Sequence, residues 1–299
     1  MPERASDLWW LFTRQTVSVS LEEKIIDAAL LMFDRNFRHL PVVNEASKLI
    51  GIISAQDIID ALDLSLQAHS SVEEVKESLS ISLEKILTIN AVAAEPGDGL
   101  AQMIKKIVYH NIGALPVVNE QGVVQGIITL RDLVALIGMS SAPLGVTVSE
   151  MMNRKVTTIQ SEELFATAVR LMSEKRVRRL PILSRKNELI GVITNKDILR
   201  HLLATTGTKK AETRHPLNAK IGDLMTKEVI TISQDDDLRA AASRMMIFGV
   251  GGLLVDDLGA NIALITERDL IRNLSIKKSL DFLLKAMQYE SEEAIPKLT

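Results

Sequence analysis

The 299-residue sequence contains no cysteine, and aromatic residues make up only 3% of it. Without cysteine the chain can form neither disulfides nor thiolate metal sites, and it has no cysteine nucleophile. Its longest apolar runs fall far short of the roughly 20 residues that span a bilayer, and no charged-then-apolar leader opens the chain. We therefore expect a soluble, cytoplasmic protein with no membrane partner.

Sequence signatures of catalysis are also missing. Neither a G-x-S-x-G elbow nor a phosphate loop ending in G-K-[ST] occurs, and the histidines show no metal-ligand spacing such as H-E-x-x-H. The five histidines are His39, His69, His110, His201 and His215. We expect no catalytic residues, no bound metal and no obligatory cofactor, and we predict that the chain is not an enzyme.

The composition allows substantial cores and shows a marked charge asymmetry. Hydrophobic residues make up 46% of the chain, and the length suits about two domains. Residues 1–145 carry 11 lysines and arginines against 18 acidic residues, whereas residues 146–299 carry 24 against 20. We expect the second half to meet anionic groups more readily.

One short motif occurs four times. Each copy reads glycine or alanine, apolar residues, a hydroxyl residue, two variable residues and aspartate, and each follows a second short apolar run and a turn. Proline in that upstream run precedes the motif glycine by ten residues in the first three copies. The copies are GIISAQD (51–57), GIITLRD (126–132), GVITNKD (191–197) and ALITERD (263–269), preceded by HLPVV (39–43), ALPVV (114–118), RLPIL (179–183) and GLLVD (252–256).

Helical and strand patterns complete each repeat. In the third copy, residues 156–159 are typical of a strand, and Leu164, Ala168, Leu171 and Met172 recur at helical spacing. In the fourth, residues 229–232 are followed by the same spacing. Each unit is therefore predicted as strand, helix, strand, turn, strand, helix.

A unit of about 50–60 residues buries little apolar surface on its own, so neighbouring units should pair, unit 1 with unit 2 and unit 3 with unit 4. The predicted segments are an N-terminal arm (1–15), unit 1 (16–62), a connecting helix (63–87), unit 2 (88–140), unit 3 (146–200), a linker (201–222), unit 4 (223–275) and a C-terminal helix with tail (276–299).

The four motifs resemble the signature of cystathionine-β-synthase (CBS) domains, h-P-h followed after ten residues by G-h-h-[ST]-x-x-D. The resemblance runs from about Thr16 to Ile271. In overall plan the chain is similar to the gamma subunit of AMP-activated protein kinase and to archaeal four-CBS proteins. It implies an α/β fold of four CBS units paired into two Bateman modules in a disc-like arrangement.

The hydroxyl and aspartate of each motif allow two interpretations. A capping box explains a hydroxyl at each helix start, but such boxes favour Glu or Gln three residues later rather than Asp. The resemblance implies instead that the aspartate holds a ribose and that the hydroxyl contacts ribose or phosphate, and the two roles are compatible. The candidate ribose-binding residues are Ser54, Asp57, Thr129, Asp132, Thr194, Asp197, Thr266 and Asp269.

Basic residues precede the L-P strand in two units only. Unit 1 has Arg38–His39 and unit 3 has Arg178–Arg179, whereas units 2 and 4 have Gly113–Ala114 and Gly251–Gly252. In related nucleotide-binding CBS proteins, residues at this position face phosphates, for which arginine's fork is suited. The alternative is a solvated basic edge. The resemblance further suggests adenine contacts from main-chain groups around Thr157 and Ile159.

Unit 3 carries more positive charge than one phosphate needs. Lys175, Arg176, Arg185 and Lys186 flank its arginine pair. They predict either a further anionic contact, such as ribosomal RNA, or a solvated basic surface, and the lack of interleaved aromatics argues against a stacking platform for single strands.

The expected function is a regulatory sensor that binds AMP, ADP or ATP and transmits energy status to an unidentified protein partner. The alternative is a docking protein for ribosomal subunits, acting in hibernation or translation inhibition, and an enzyme subunit with a separate catalytic chain is a third. Adjacent Trp9 and Trp10 fit either a packed arm or an anchor for a partner or homodimer, and residues 279–294 have the pattern of an amphipathic helix.

Overall fold

The computed structural model describes residues 16–140, 142–207, 217–256 and 262–276. Trp9, Trp10 and the predicted helix at 279–294 lie outside these ranges. None of the helices in the described ranges has the length and apolarity that a bilayer crossing demands.

Each of the four units has the predicted helix, hairpin and second helix. The predicted first strand pairs within its own unit in units 3 and 4, and is reduced to single bridges, Val19 with Val42 and Ala94 with Val117, in units 1 and 2. The elements of units 1 and 2 are α1 (Ile25–Arg35), β1 (His39–Val43), β2 (Leu49–Ser54), α2 (Ala55–Ala68), α3 (Val72–Ser78), β3 (Thr88–Ile89), α4 (Leu100–Tyr109), β4 (Ala114–Val118), β5 (Val124–Thr129) and α5 (Leu130–Met139). Those of units 3 and 4 are α6 (Val148–Met151), β6 (Ile159–Gln160), α7 (Phe165–Glu174), β7 (Arg179–Leu183), β8 (Leu189–Thr194), α8 (Asn195–Thr205), α9 (Ile221–Leu224), β9 (Thr231–Ile232), α10 (Leu238–Phe248), β10 (Gly252–Val255), β11 (Ala263–Thr266) and α11 (Glu267–Ile276).

Three predicted elements differ in extent. The segment 63–87 is not one helix: α2 ends at Ala68, and Ser71 begins the separate helix α3 through its own capping box with Glu74. The strands predicted at 156–159 and 229–232 shorten to Ile159–Gln160 and Thr231–Ile232. The domain boundaries proposed from the sequence remain predictions.

The first segments are short because they cross to the neighbouring unit before entering their own. β3, at the start of unit 2, pairs with β2 of unit 1. Asn153 of unit 3 pairs with Leu264 of unit 4, and Thr226 of unit 4 pairs with Val192 of unit 3. Units 1 and 2, and units 3 and 4, are therefore joined by their backbones, as the two-module fold requires.

In units 1 and 3 the motif glycine leaves room for this crossing. A Cβ added at Gly51 would lie 2.4 Å from the carbonyl oxygen of Thr88, and one at Gly191 would lie 2.9 Å from that of Thr226. These distances are shorter than van der Waals contact, so a side chain would push the crossing segment away. The glycine thus sets how closely one unit approaches the next.

Helices make a different set of contacts from the strands. α2 packs on α7 and α1 on α8, which joins units 1 and 3, while α10 and α11 pack on α5, which joins units 2 and 4. Two hydrophobic cores result, one shared by units 1 and 3 and one by units 2 and 4. Strand crossing and helix packing together place the four units around a common centre.

Candidate functional site

All four predicted hydroxyl–aspartate pairs lie where a hairpin strand passes directly into a helix. Ser54 is both the last residue of β2 and the N-cap of α2, and its backbone N–H and hydroxyl each donate 2.7 Å hydrogen bonds to Oδ2 of Asp57. The same two bonds recur in Thr129–Asp132, Thr194–Asp197 and Thr266–Asp269. The capping role is therefore present in every unit.

Capping uses only one carboxylate oxygen of each aspartate. Oδ1 of Asp197 accepts from the half-exposed Arg200 at 2.9 Å, whereas Oδ1 of Asp57 and of Asp132 has no hydrogen-bond partner within the described ranges. Burial, partly offset by the bonds from the hydroxyl and the backbone, raises the pKa of Asp57 and of Asp132. Each aspartate can accept further hydrogen bonds from a ligand.

Three cavities bring these pairs together with the first segment of the neighbouring unit. A cavity of about 750 Å³ holds Ser54 and Asp57 near residues 88–92, and Thr266 and Asp269 near residues 153–157. A cavity of about 330 Å³ holds Thr194 and Asp197 near residues 226–230. The smallest, of about 220 Å³, holds Thr129 and Asp132 near Thr16 and Val17. We call these the large, unit 3 and unit 2 cavities.

The two residues predicted to contact adenine, Thr157 and Ile159, lie in different surroundings. Thr157 lines the large cavity, where it faces Thr266 and Asp269 of unit 4 rather than the motif of its own unit. Ile159 lines none of the three cavities; it is buried in the core of units 1 and 3 and pairs with Ile182. The crossing of the first segments explains both placements.

The four predicted phosphate residues converge at the centre. Arg38 lines all three cavities, Arg178 and Arg179 line the large and unit 3 cavities, and His39 lines the large and unit 2 cavities. Two further residues join them, so we define the central cluster as Arg38, His39, Arg131, Arg178, Arg179 and Glu267.

The carboxylate of Glu267 is the shared acidic partner of the arginines in the central cluster. Arg38 donates to both of its oxygens, at 2.7 and 2.8 Å, and Arg131 Nε lies 3.9 Å from Oε1. Burial alone would raise the pKa of Glu267, but Arg38, Arg178 and Arg179 outweigh it and hold the pKa at about 2. Burial also lowers the pKa of Arg178 to about 9 and that of Arg179 to about 10, and both remain charged at neutral pH.

The glycines of units 2 and 4 provide the space for this cluster. A Cβ at Gly252 would lie 1.4 Å from Nη1 of Arg179, and one at Gly113 would lie 2.7 Å from Nε2 of His39. Arg179 also donates a 2.6 Å hydrogen bond to the carbonyl of Gly251. The basic side chains of units 1 and 3 therefore lie over the glycines of units 2 and 4.

His39 makes the cluster sensitive to acid. Burial, followed by repulsion from Arg178 and Arg38, lowers its pKa to about 3. Because the folded state then binds fewer protons than the unfolded chain between pH 3 and 6.5, stability falls as the pH drops through that window. The lowered pKa of Glu267 acts only below about pH 4.5, where its unfolded form titrates.

We expect His39 alone to lower the free energy of unfolding by about 2 kcal/mol between pH 7.5 and 5. Urea unfolding of the wild type and of His39→Gln at several pH values measures this effect. The variant should lose that share of the pH dependence. Equal slopes for both proteins would show that His39 is not held neutral.

Asn195 is a polar residue that the described fold leaves unsatisfied. It begins α8 between Thr194 and Asp197, lines the unit 3 cavity and is only 6% exposed. Neither atom of its amide has a hydrogen-bond partner within the described ranges. Unit 1 has Ala55 at the equivalent position. A buried amide without partners destabilises the protein unless a ligand satisfies it.

We therefore expect Asn195→Ala to raise the free energy of unfolding by about 1 kcal/mol in the absence of ligand. Chemical denaturation measures it. Asn44→Ala serves as the control, because the Asn44 side chain accepts 3.0 Å hydrogen bonds from the backbone of Ala46 and Lys48, and its loss should destabilise the chain. A destabilised Asn195→Ala would contradict the expectation.

The predicted basic surface of unit 3 is partly neutralised. Arg176 pairs with Asp60 of unit 1, and Arg185 with Glu162 at 3.0 Å. Lys175 and Lys186 are exposed. Two of these four residues thus form ion pairs within the chain.

Sequence reasoning missed Arg131, Asn195 and Glu267. All three occupy the variable positions between the hydroxyl and the aspartate of the motif. Because those positions start a helix at a cleft, polar or charged residues there were the available signal.

A comparison with known protein families matches the same four repeats. The family model described as CBS domain matches residues 5–64, 83–138, 148–204 and 221–276. The chain is 28% identical to an uncharacterized 33.4 kDa protein in a ribosomal RNA operon of Thermofilum pendens, over 89% of this chain and 90% of that protein. It is 25% identical to uncharacterized protein MJ1225 of Methanocaldococcus jannaschii, over 87% of this chain and 95% of that protein.

Two solved structures share the fold over most of the chain. The crystal structure of MJ1225, described as a proposed archaeal homologue of γ-AMPK, matches with a TM-score of 0.76 and 24% identity, covering 91% of this chain and 99% of that one. A conserved uncharacterized protein from Pyrococcus horikoshii matches with a TM-score of 0.60 and 21% identity, covering 88% and 97%.

Proposed function

The chain belongs to the CBS-domain family, and on that premise we propose that it is a non-catalytic regulatory protein that binds adenine nucleotides, AMP, ADP or ATP, in its clefts. One observation carries the proposal. Each hydroxyl–aspartate pair shares a cavity with the first segment of its neighbouring unit and with at least one arginine of the central cluster. Each cleft thus offers groups suited to a ribose, a base and a phosphate.

The aspartates are the proposed ribose contacts. Their capping bonds fix the carboxylate at the cleft wall and leave the second oxygen available in Asp57 and Asp132. Vicinal ribose hydroxyls donate well to such a rigid acceptor. In unit 3, a ribose would share Asp197 with the half-exposed Arg200.

The central cluster is the proposed phosphate site. Three guanidinium groups with partly desolvated charge, those of Arg38, Arg178 and Arg179, line the large and unit 3 cavities. Guanidinium forks match phosphate oxygens, and low solvent exposure strengthens the attraction. The adenine would then contact the backbone of the first segments, at residues 88–92, 153–157 and 226–230.

A ligand in any cleft would contact two units at once, because each cavity combines residues from neighbours. Binding would therefore favour one relative arrangement of those units over others, in proportion to its differential affinity. This is how we propose that nucleotide binding is transmitted to a partner protein.

Calorimetric titration of the purified chain with AMP, ADP, ATP and S-adenosylmethionine tests the proposal. We expect at least one of them to bind, and competition among them would identify the preferred compound. If none binds at millimolar concentration, the proposed function is wrong.

A ribosome-docking role is the second candidate. The observation that favours it is the Thermofilum pendens relative, whose name places it in a ribosomal RNA operon. The internal ion pairs of Arg176 and Arg185 reduce the charge available to RNA. Co-sedimentation with ribosomal subunits, weakened steeply by salt, would support this role over nucleotide sensing.

A further inference from the structure

The carboxylate of Glu267 has no equivalent in the other three units. It is the first residue of α11, where the corresponding positions hold Ala55, Leu130 and Asn195. The capping bonds of α11 come from Thr266 and Asp269, so Glu267 is not needed to begin the helix. The repeat therefore does not explain why an acidic residue is placed here.

Glu267 forms an ion pair with Arg38, which lines all three cavities. Its side chain is 2% exposed, and its two oxygens accept from Nη1 and Nη2 of Arg38. Arg38 lines all three cavities, whereas Glu267 lines none. The guanidinium fork is therefore turned inwards, onto a buried protein carboxylate.

A phosphate and Glu267 compete for the end-on fork of Arg38, which lines all three cavities. A bidentate guanidinium–phosphate contact uses two parallel N–H groups, and both terminal nitrogens are already engaged by Glu267. A ligand can use this end-on fork only by displacing the carboxylate, and is otherwise confined to the remaining N–H groups of Arg38.

We propose that Glu267 is an internal competitor for phosphate, which holds the fork of Arg38 and lowers the affinity of the central cluster for anionic ligands. The inference rests on the proposed function in that the competing ligand is taken to be a nucleotide phosphate. It adds a residue that tunes affinity without contacting the ligand.

The same ion pair links units that have few other connections. Strands join units 1 with 2 and 3 with 4, and helices join units 1 with 3 and 2 with 4. Arg38 and Glu267 belong to units 1 and 4, which lie across the centre. Release of this pair by a phosphate would loosen that diagonal connection, so ligand binding and the arrangement of the two modules are coupled through it.

The experiment compares Glu267→Gln with the wild type by titration calorimetry, using inorganic tripolyphosphate as a probe of charge alone, and ATP and AMP as nucleotides. We expect Glu267→Gln to bind tripolyphosphate about tenfold more tightly, equivalent to about 1.4 kcal/mol. Glu162→Gln is the matched control, since it removes the same charge from a surface carboxylate paired with Arg185 and Lys220. Its affinity should equal that of the wild type.

The outcomes separate this inference from the proposed function. If ATP binds the wild type but Glu267→Gln binds tripolyphosphate equally or more weakly, the competitor role is overturned and nucleotide binding stands. If neither nucleotide binds, but tripolyphosphate binds Glu267→Gln more tightly, the competitor role stands and the nucleotide function falls. Equal tightening in Glu162→Gln, or no tripolyphosphate binding by either protein, overturns the inference.

A second variant covers the case in which Glu267→Gln does not fold. Glu267→Asp keeps the charge but shortens the side chain, so that it cannot reach both terminal nitrogens of Arg38 as Glu267 does. We expect a smaller gain, about threefold, in tripolyphosphate affinity. An unchanged or weaker affinity in this variant contradicts the competitor role.

Discussion

Arg38→Met is expected to lower the free energy of unfolding by about 3 kcal/mol, because it leaves the buried Glu267 carboxylate without its bidentate partner. Nε of Arg131 is 3.9 Å from Oε1 of Glu267, which is too distant to replace two hydrogen bonds below 3 Å. Urea unfolding monitored by circular dichroism measures the loss. Methionine keeps much of the arginine stem's packing, so the effect reports mainly on charge.

Two further variants make this result specific. Arg38→Met combined with Glu267→Gln should recover more than half of the lost stability, since the unpaired charge is then gone. Arg185→Met should change stability by less than about 0.5 kcal/mol, because Arg185 is 80% exposed and its pair with Glu162 is on the surface. If Arg38→Met were as mild as Arg185→Met, the central ion pair would not be a structural contact of the fold.

Asp57→Ala is expected to weaken nucleotide binding in the large cavity about 100-fold, corresponding to the loss of two charge-assisted hydrogen bonds from a ribose. The same substitution removes the capping bonds of Ser54 and should cost about 1 kcal/mol of stability. Asp197→Ala should act in the same direction but more weakly in the unit 3 cavity, because Oδ1 of Asp197 already accepts a hydrogen bond from Arg200. Calorimetry measures the affinity and the number of sites that remain.

The matched control for this substitution is Glu74→Ala. Glu74 closes a capping box with Ser71 on α3, at 2.8 Å from the hydroxyl, and lines none of the three cavities. It should lose comparable stability with no change in nucleotide affinity. If Glu74→Ala and Asp57→Ala affect binding alike, the aspartates act only as caps.

The sequence predicts the repeated parts of this fold well. Alternating apolar residues and a hydroxyl–aspartate pair identify each hairpin and the helix after it, because these features depend on neighbours within a few residues. The family and the two-module fold follow from their fourfold recurrence, and both are confirmed. The site roles assigned to the motif residues remain predictions.

Contacts between units could not be read in the same way. Amphipathic helices such as α2 and α5 show which face is apolar but not which helix covers it, so the shared cores of units 1 with 3 and 2 with 4 were not foreseen. Glu267 was missed for a related reason. Its importance comes from Arg38, which is 229 residues away in the chain and close only in the folded protein.

The glycines opposite the basic side chains make the four repeats non-interchangeable. Units 1 and 3 supply the basic side chains, and units 2 and 4 supply glycines that leave space for them. Each glycine is close to one of these side chains: Gly113 to His39, Gly251 to Arg38 and Gly252 to Arg179. A chain in which unit 4 became a second copy of unit 3 would place arginines where arginines already lie. Exchanging the order of the two halves of the chain, by contrast, keeps every basic side chain next to its glycine. A rearrangement that moves units 1 and 2 together, or units 3 and 4 together, therefore preserves these contacts.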